Sequence, residues 1–166
     1  MGRPRRRLTM VIALFVYLLS LACWLGSIIF FSFFTAPAVF GSGIPLPEAG
    51  KVISTIFPRY YLLGYIVGMV ALVVALYFSF ARPARWAWGV TAIFLAFALG
   101  LTFYAGAVVR PRIDAIRTVA EESNPDPARK AEFDRLHRLS VYLNGAALLL
   151  NLAALAGTAG ALTARG

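Results

Sequence analysis

Charge is what this sequence has least of. Only 14% of its residues are charged, against roughly 25% in an ordinary soluble domain. Acidic residues number 7 against 16 basic ones, and there is one histidine and one cysteine. Each scarcity excludes something. A lone Cys23 cannot close an internal disulfide, and no Cys/His spacing suits a metal. No phosphate-binding glycine loop is present, and no nucleophile stands beside a recognisable base. No catalytic residue, metal ligand or cofactor is therefore assigned, and enzymatic activity is not favoured. The net charge of +9 could attract nucleic acid, but no basic stretch is interleaved with exposed aromatics outside the apolar runs. The excess instead suits the flanks of membrane spans and anionic headgroups.

What is abundant is hydrocarbon. Hydrophobic residues make up 60% of the 166, and the mean hydropathy is +0.77. One soluble core could not hide that surface, whereas a bilayer is its natural solvent. The fold class expected is all-α, an integral membrane four-helix bundle forming a single domain over 1–166. Its spans are placed at about 9–33, 60–81, 86–109 and 139–162, each near the roughly 20 residues a crossing needs. The first follows "MGRPRRR" and stays uncharged from Leu8 to Val39. A secretory leader has an apolar core of roughly 7–15 residues, so an uncleaved span fits better. Pro37 is expected to break the helix after span one. "PEAGKVISTIF" then reads as a short interfacial helix ended by Pro58. "RPAR" forms a tight turn between spans two and three. A polar loop over 110–138 contains a helix with Ile113, Ile116 and Val119 on one side, then an "NPDP" turn. Asp126 is placed to cap a long last helix that has Pro127 at its first position. No internal repeat stands out.

No Asp, Glu, Lys or Arg falls inside a predicted span, which argues against an ion-coupled transporter. The polarity that does enter the bilayer is concentrated in the last span. His137, Ser140, Asn144 and Asn151 fall within about 60° of one another on a helix. An amide facing lipid is costly, so this edge should turn toward other helices. Ser20, Cys23, Ser27 and Gly26 on span one offer a matching small edge. Two readings stand: hydrogen-bonded packing, or a buried polar pocket with His137 at its mouth. Arg110 and the Pro37 loop fall on the same membrane face as His137. Together His137, Ser140, Asn144, Arg110 and Pro37 form the candidate ligand-binding set, for a membrane lipid, a small solute or a protein partner. The alternatives are a membrane oxidoreductase or oxygenase-like enzyme, or a small permease using the His137/Asn144 edge.

Gly64 and Gly68 form the small-xxx-small pattern, which serves packing within the chain or an oligomer. Trp86, Trp88, Tyr60, Tyr61, Tyr104 and Tyr142 lie near span ends as an aromatic belt would, while Trp24 lies deeper and should pack between helices. The arginines before span one favour cytoplasmic termini in a plasma (inner) membrane, although seven basic residues then lie inside and nine outside.

Four stretches in order, "LGSIIFFSFFTAPAVF", "AGKVISTIFPRYYLLGY", "VVRPRIDAIR" and "EFDRLHRLSVYLN", resemble the transmembrane protein 205-like domain, a domain of unknown function. The likeness spans about residues 10–160. It implies a small four-span membrane protein with one larger polar loop before the last span, and no established activity. The resemblance maps the family's recognisable positions onto Gly26, Pro37, Phe40, Gly50, Phe57, Pro58, Pro111, Arg117, Phe133, His137, Ser140 and Asn144. A looser likeness links the layout to four-span oxygenase-like proteins of the anthrone oxygenase type.

Overall fold

A computed structural model describes residues 3–81, 84–120 and 126–163. The chain folds into α1 (Arg3–Phe30), a wide π turn π1 (Phe31–Thr35), α2 (Ala36–Phe40) and α3 (Leu46–Ala81). It continues through α4 (Arg85–Tyr104), a second wide turn π2 (Ala105–Val109), α5 (Arg110–Ala120) and α6 (Pro127–Thr163). Four of the resulting rods are long and apolar enough to cross a membrane, which bears out the all-α four-helix bundle. The expected turns over 82–85 and 124–127, the side chain of Val119, and Arg165 lie partly or wholly outside the described residues.

The rods are longer than the spans expected, because three prolines do not stop them. A proline in a helix removes one N–H and drives its ring against the carbonyl four residues back. Pro37 and Pro111 each follow a π turn by two residues. There the amides of Ala36 and Arg110 reach back to Phe31 and Ala105. The widened turn moves aside the carbonyl that the ring would strike. The helix over Arg5–Phe40 is therefore one rod. Pro58 lies inside regular α3. It deprives the Ser54 carbonyl of its helical donor, and the Arg110 guanidinium supplies one across the bundle at 3.1 Å. The separate helix expected before Pro58 is thus continuous with the rest of α3.

Local signals set the helix starts. The Pro45 carbonyl accepts the amides of Glu48 and Ala49 at 2.9 and 3.0 Å. Gly43 turns the chain before it with φ 82°, the left-handed region where a Cβ is strained. Asp126 accepts the Ala128 amide at 3.0 Å, so it caps α6 with Pro127 at the first helical position, as expected. α6 then runs unbroken into the last span.

The rods pack in sequence order, α1 on α3, α3 on α4 and α4 on α6, with a thinner α6–α1 seam closing the ring. Trp24 lies at the centre with 1% exposure. It occupies the space left by Gly64 and Gly68, where a Cβ on Gly68 would stand 2.8 Å from its ring. The two glycines thus serve contact within the chain, not an outer oligomer face. Trp88 corrects the aromatic-belt expectation: it is buried, with its ring centroid 4.7 Å from Phe78 and 5.4 Å from Tyr17. Trp86, two residues earlier, is exposed. Span one's inward stripe is Tyr17, Leu21, Trp24, Leu25 and Ile28. Cys23 and Gly26 face outward, whereas Ser20 is buried and Ser27 half-buried, so only part of the small edge expected from sequence turns inward.

Candidate functional site

Most polar side chains that join different rods gather at the membrane end carrying π1, π2 and the three prolines; the buried Tyr17–Thr158 hydroxyl pair, 2.7 Å apart, joins α1 to α6 toward the other end. α6 places Asn144 about a turn inside that end. Its amide donates to the Ser32 hydroxyl at 2.8 Å, and its carbonyl oxygen accepts the Tyr60 hydroxyl at 2.5 Å. Three spans therefore meet at one amide. Ser32 belongs to π1, whose extra residue per turn re-aims the side chains around it. Tyr60 is held by rings on both sides, 4.9 Å from Phe31 and 5.2 Å from Tyr61.

Phe57 connects this node to a charged one. Its ring lies 6.4 Å from Tyr60 and carries the Arg110 guanidinium at 5.8 Å on its other flank. Arg110 also pairs with Asp114 at 3.2 Å. Arg117 donates to the Gly50 carbonyl at 2.8 Å and to the Ser54 hydroxyl, which in turn donates to Asp114 at 3.4 Å. The cluster thus holds two guanidiniums and one carboxylate, Arg110 paired with it directly and Arg117 linked to it through the Ser54 hydroxyl. Arg110 retains a buried Nε without a partner, although its side chain is 22% exposed. The arrangement suits an anion arriving at the membrane surface, because guanidinium pairs phosphate and carboxylate oxygens in a planar fork.

Of the residues expected from sequence, Asn144 and Arg110 enter this assembly, at opposite ends of the Phe57–Tyr60 pair. The other three stand apart from it. His137 is exposed and stacks on Phe133 at 6.2 Å within its own helix. Ser140 donates to the His137 carbonyl at 2.8 Å. Pro37 is exposed and its carbonyl accepts the Gly41 amide. Asn151 faces inward with no exposure, but it donates to Ala147 of its own helix at 2.9 Å, and its carbonyl oxygen has no partner. No group of three His, Cys, Asp or Glu side chains that could hold a metal occurs among the described residues. Sequence reasoning missed Ser32, Tyr60, Phe57 and Ser54. One signal was available: a proline inside a helix frees a carbonyl that needs an outside donor.

The node makes a stability prediction. Asn144→Leu deletes both inter-rod hydrogen bonds and should cost about 1–2 kcal/mol, since such bonds average about 0.6 kcal/mol and reach about 1.7 in membrane bundles. A lowered melting temperature in detergent is expected; an unchanged one would show that the bridge contributes nothing.

No curated protein and no solved structure matches this chain. Residues 19–122 match the domain of unknown function DUF4149. That stretch contains Ser32, Tyr60 and the Arg110 cluster and stops short of Asn144. It takes in more than half of the sequence, and the chain belongs to the DUF4149 family.

Proposed function

We propose that this multi-pass membrane protein binds an anionic lipid by its headgroup, at the end of the bundle where Arg110 borders the Tyr60–Asn144–Ser32 node. The observation that carries the reading is the Arg110 guanidinium. It is partly exposed, pairs with Asp114, to which Arg117 is linked through the Ser54 hydroxyl, and retains an unpartnered Nε. Exposed Phe30, Phe33 and Phe34 on the first rod offer acyl chains an apolar wall at the same end. The proposed setting is a plasma membrane with both termini in the cytoplasm, within the transmembrane protein 205-like group. The permease alternative has less support: Asn151 is sealed from solvent and bonded to its own helix, so the edge offers no continuous wet path. The enzyme alternative has less support: His137 is exposed and stacks on Phe133 of its own helix.

The test must separate binding from folding, because Arg110 also satisfies the Ser54 carbonyl. Pro58→Ala restores a backbone donor to that carbonyl, so the double variant Pro58→Ala/Arg110→Gln should stay folded. Native mass spectrometry of the full chain in gentle detergent, with phosphatidylglycerol or phosphatidylcholine added, reads the outcome. The wild type and Pro58→Ala should retain phosphatidylglycerol preferentially, and the double variant should lose that preference. Equal retention of both lipids by the wild type would refute the proposal.

A further inference from the structure

The two halves of the chain correspond, although no repeat stands out in the letters. One shift along the sequence carries Leu25-Gly26 onto Leu99-Gly100 and Pro37 onto Pro111. The same shift carries π1 onto π2. It also carries Tyr17, Leu21, Trp24 and Ile28 onto Thr91, Leu95, Ala98 and Thr102, all of them buried. A second, longer shift carries Gly64, Gly68, Ala71, Ala75 and Phe78 of α3 onto Ala147, Asn151, Ala154, Thr158 and Ala161 of α6, again all buried. Buried stripes recur at three- and four-residue steps in any bundle, so their register alone decides little. A π turn two residues before a proline is a rare feature, and here it occurs twice at one membrane end.

The contacts between the halves correspond too. The first shift maps Ser32 onto Gly106, and the second maps Tyr61 onto Asn144. Asn144 of α6 bonds Ser32 of π1. Tyr61 of α3 lies against Gly106 of π2, where a Cβ would stand 2.6 Å from the ring and would also strike the Tyr65 hydroxyl. Each is a contact between a returning rod and the π turn of the other half.

We propose that the chain is a tandem duplication of one two-span hairpin, packed about a pseudo-twofold axis along the membrane normal, and that Ser32–Asn144 and Gly106–Tyr61 are one contact made twice. In the first the Ser32 hydroxyl and the Asn144 amide bond each other; in the second the rings of Tyr61 and Tyr65 fill the equivalent position beside Gly106, which has no side chain to bond.

Copying the first contact into the second tests this. Gly106→Ser alone should lower the melting temperature by about 10 °C or more, because the new side chain overlaps two rings. Adding Tyr61→Asn and Tyr65→Leu, the latter matching Leu148, should recover at least about half of that loss by clearing the clash and restoring the hydroxyl–amide bond. A control with Gly106→Ser, Tyr61→Ala and Tyr65→Leu makes the same space without the amide and should recover less. Equal recovery by the control, no recovery by the asparagine variant, or a harmless Gly106→Ser would each overturn the equivalence.

Discussion

Trp24→Ala is expected to be the most damaging single substitution in the bundle, at about 3–5 kcal/mol on the scale of large-to-small core changes. Water is not expelled when two rods meet in lipid, so the loss is one of dispersion contacts. The indole fills a space bounded by Gly64, Gly68 and Leu99, and no neighbouring side chain on Gly64 or Gly68 can lean in to refill it. Coupling between Trp24 and Gly68 is expected as well. Gly68→Ala should destabilise the wild type, because its methyl meets the indole at 2.8 Å. It should cost much less in a Trp24→Ala background, where the methyl enters the vacated space. Equilibrium unfolding in mixed micelles with rising dodecyl sulfate measures all four species. A loss below about 1 kcal/mol for Trp24→Ala, or strict additivity of the pair, would contradict the described packing.

The second large effect concerns Arg110 and Pro58. Arg110→Met removes the charged donor to the Ser54 carbonyl, the Asp114 pair and the contact with the Phe57 ring. The expected cost is about 2–4 kcal/mol, since a half-buried carbonyl and a carboxylate lose their partner together. In a Pro58→Ala background the alanine amide can serve the Ser54 carbonyl. There the same Arg110→Met substitution should cost about 1 kcal/mol less. The sign of that coupling is the informative quantity. An arginine that only touches headgroups would show the same cost in both backgrounds.

Much of the fold was legible in the sequence. Four uncharged runs fixed the number of rods, and Asp126-Pro127 marked the start of α6 where the structure has it. The errors came from reading Pro37 and Pro58 as stops. Pro37, Pro58 and Pro111 all lie within continuous rods, two rescued by π turns and one by a guanidinium from elsewhere in the chain. None of these rescues is a local property of the proline's neighbours, so window-based reasoning cannot find them. Trp88 was misplaced for a related reason: closeness to a span end marks a belt residue only if its helix face points outward, and facing is settled by the partner rods. The candidate site was half legible. Periodicity turned Asn144 inward correctly, because an amide in lipid is costly whatever the tertiary detail. Its partners Ser32 and Tyr60 come from distant rods, and the sequence carried no pairing signal for them.

The claim on which the rest depends is that π1, the three prolines, Arg110 and the start of α6 share one membrane face, with both chain ends on the other. Accessibility of single cysteines tests it most directly. In a Cys23→Ala background, Ser42→Cys and Lys130→Cys should react with an impermeant maleimide from the same side of sealed vesicles, and Arg5→Cys and Thr163→Cys only from the opposite side. With the proposed orientation, the first pair labels from outside the cell. Labelling of positions 42 and 130 from opposite sides would place Asn144 and Ser32 at different ends of the bundle and contradict the account.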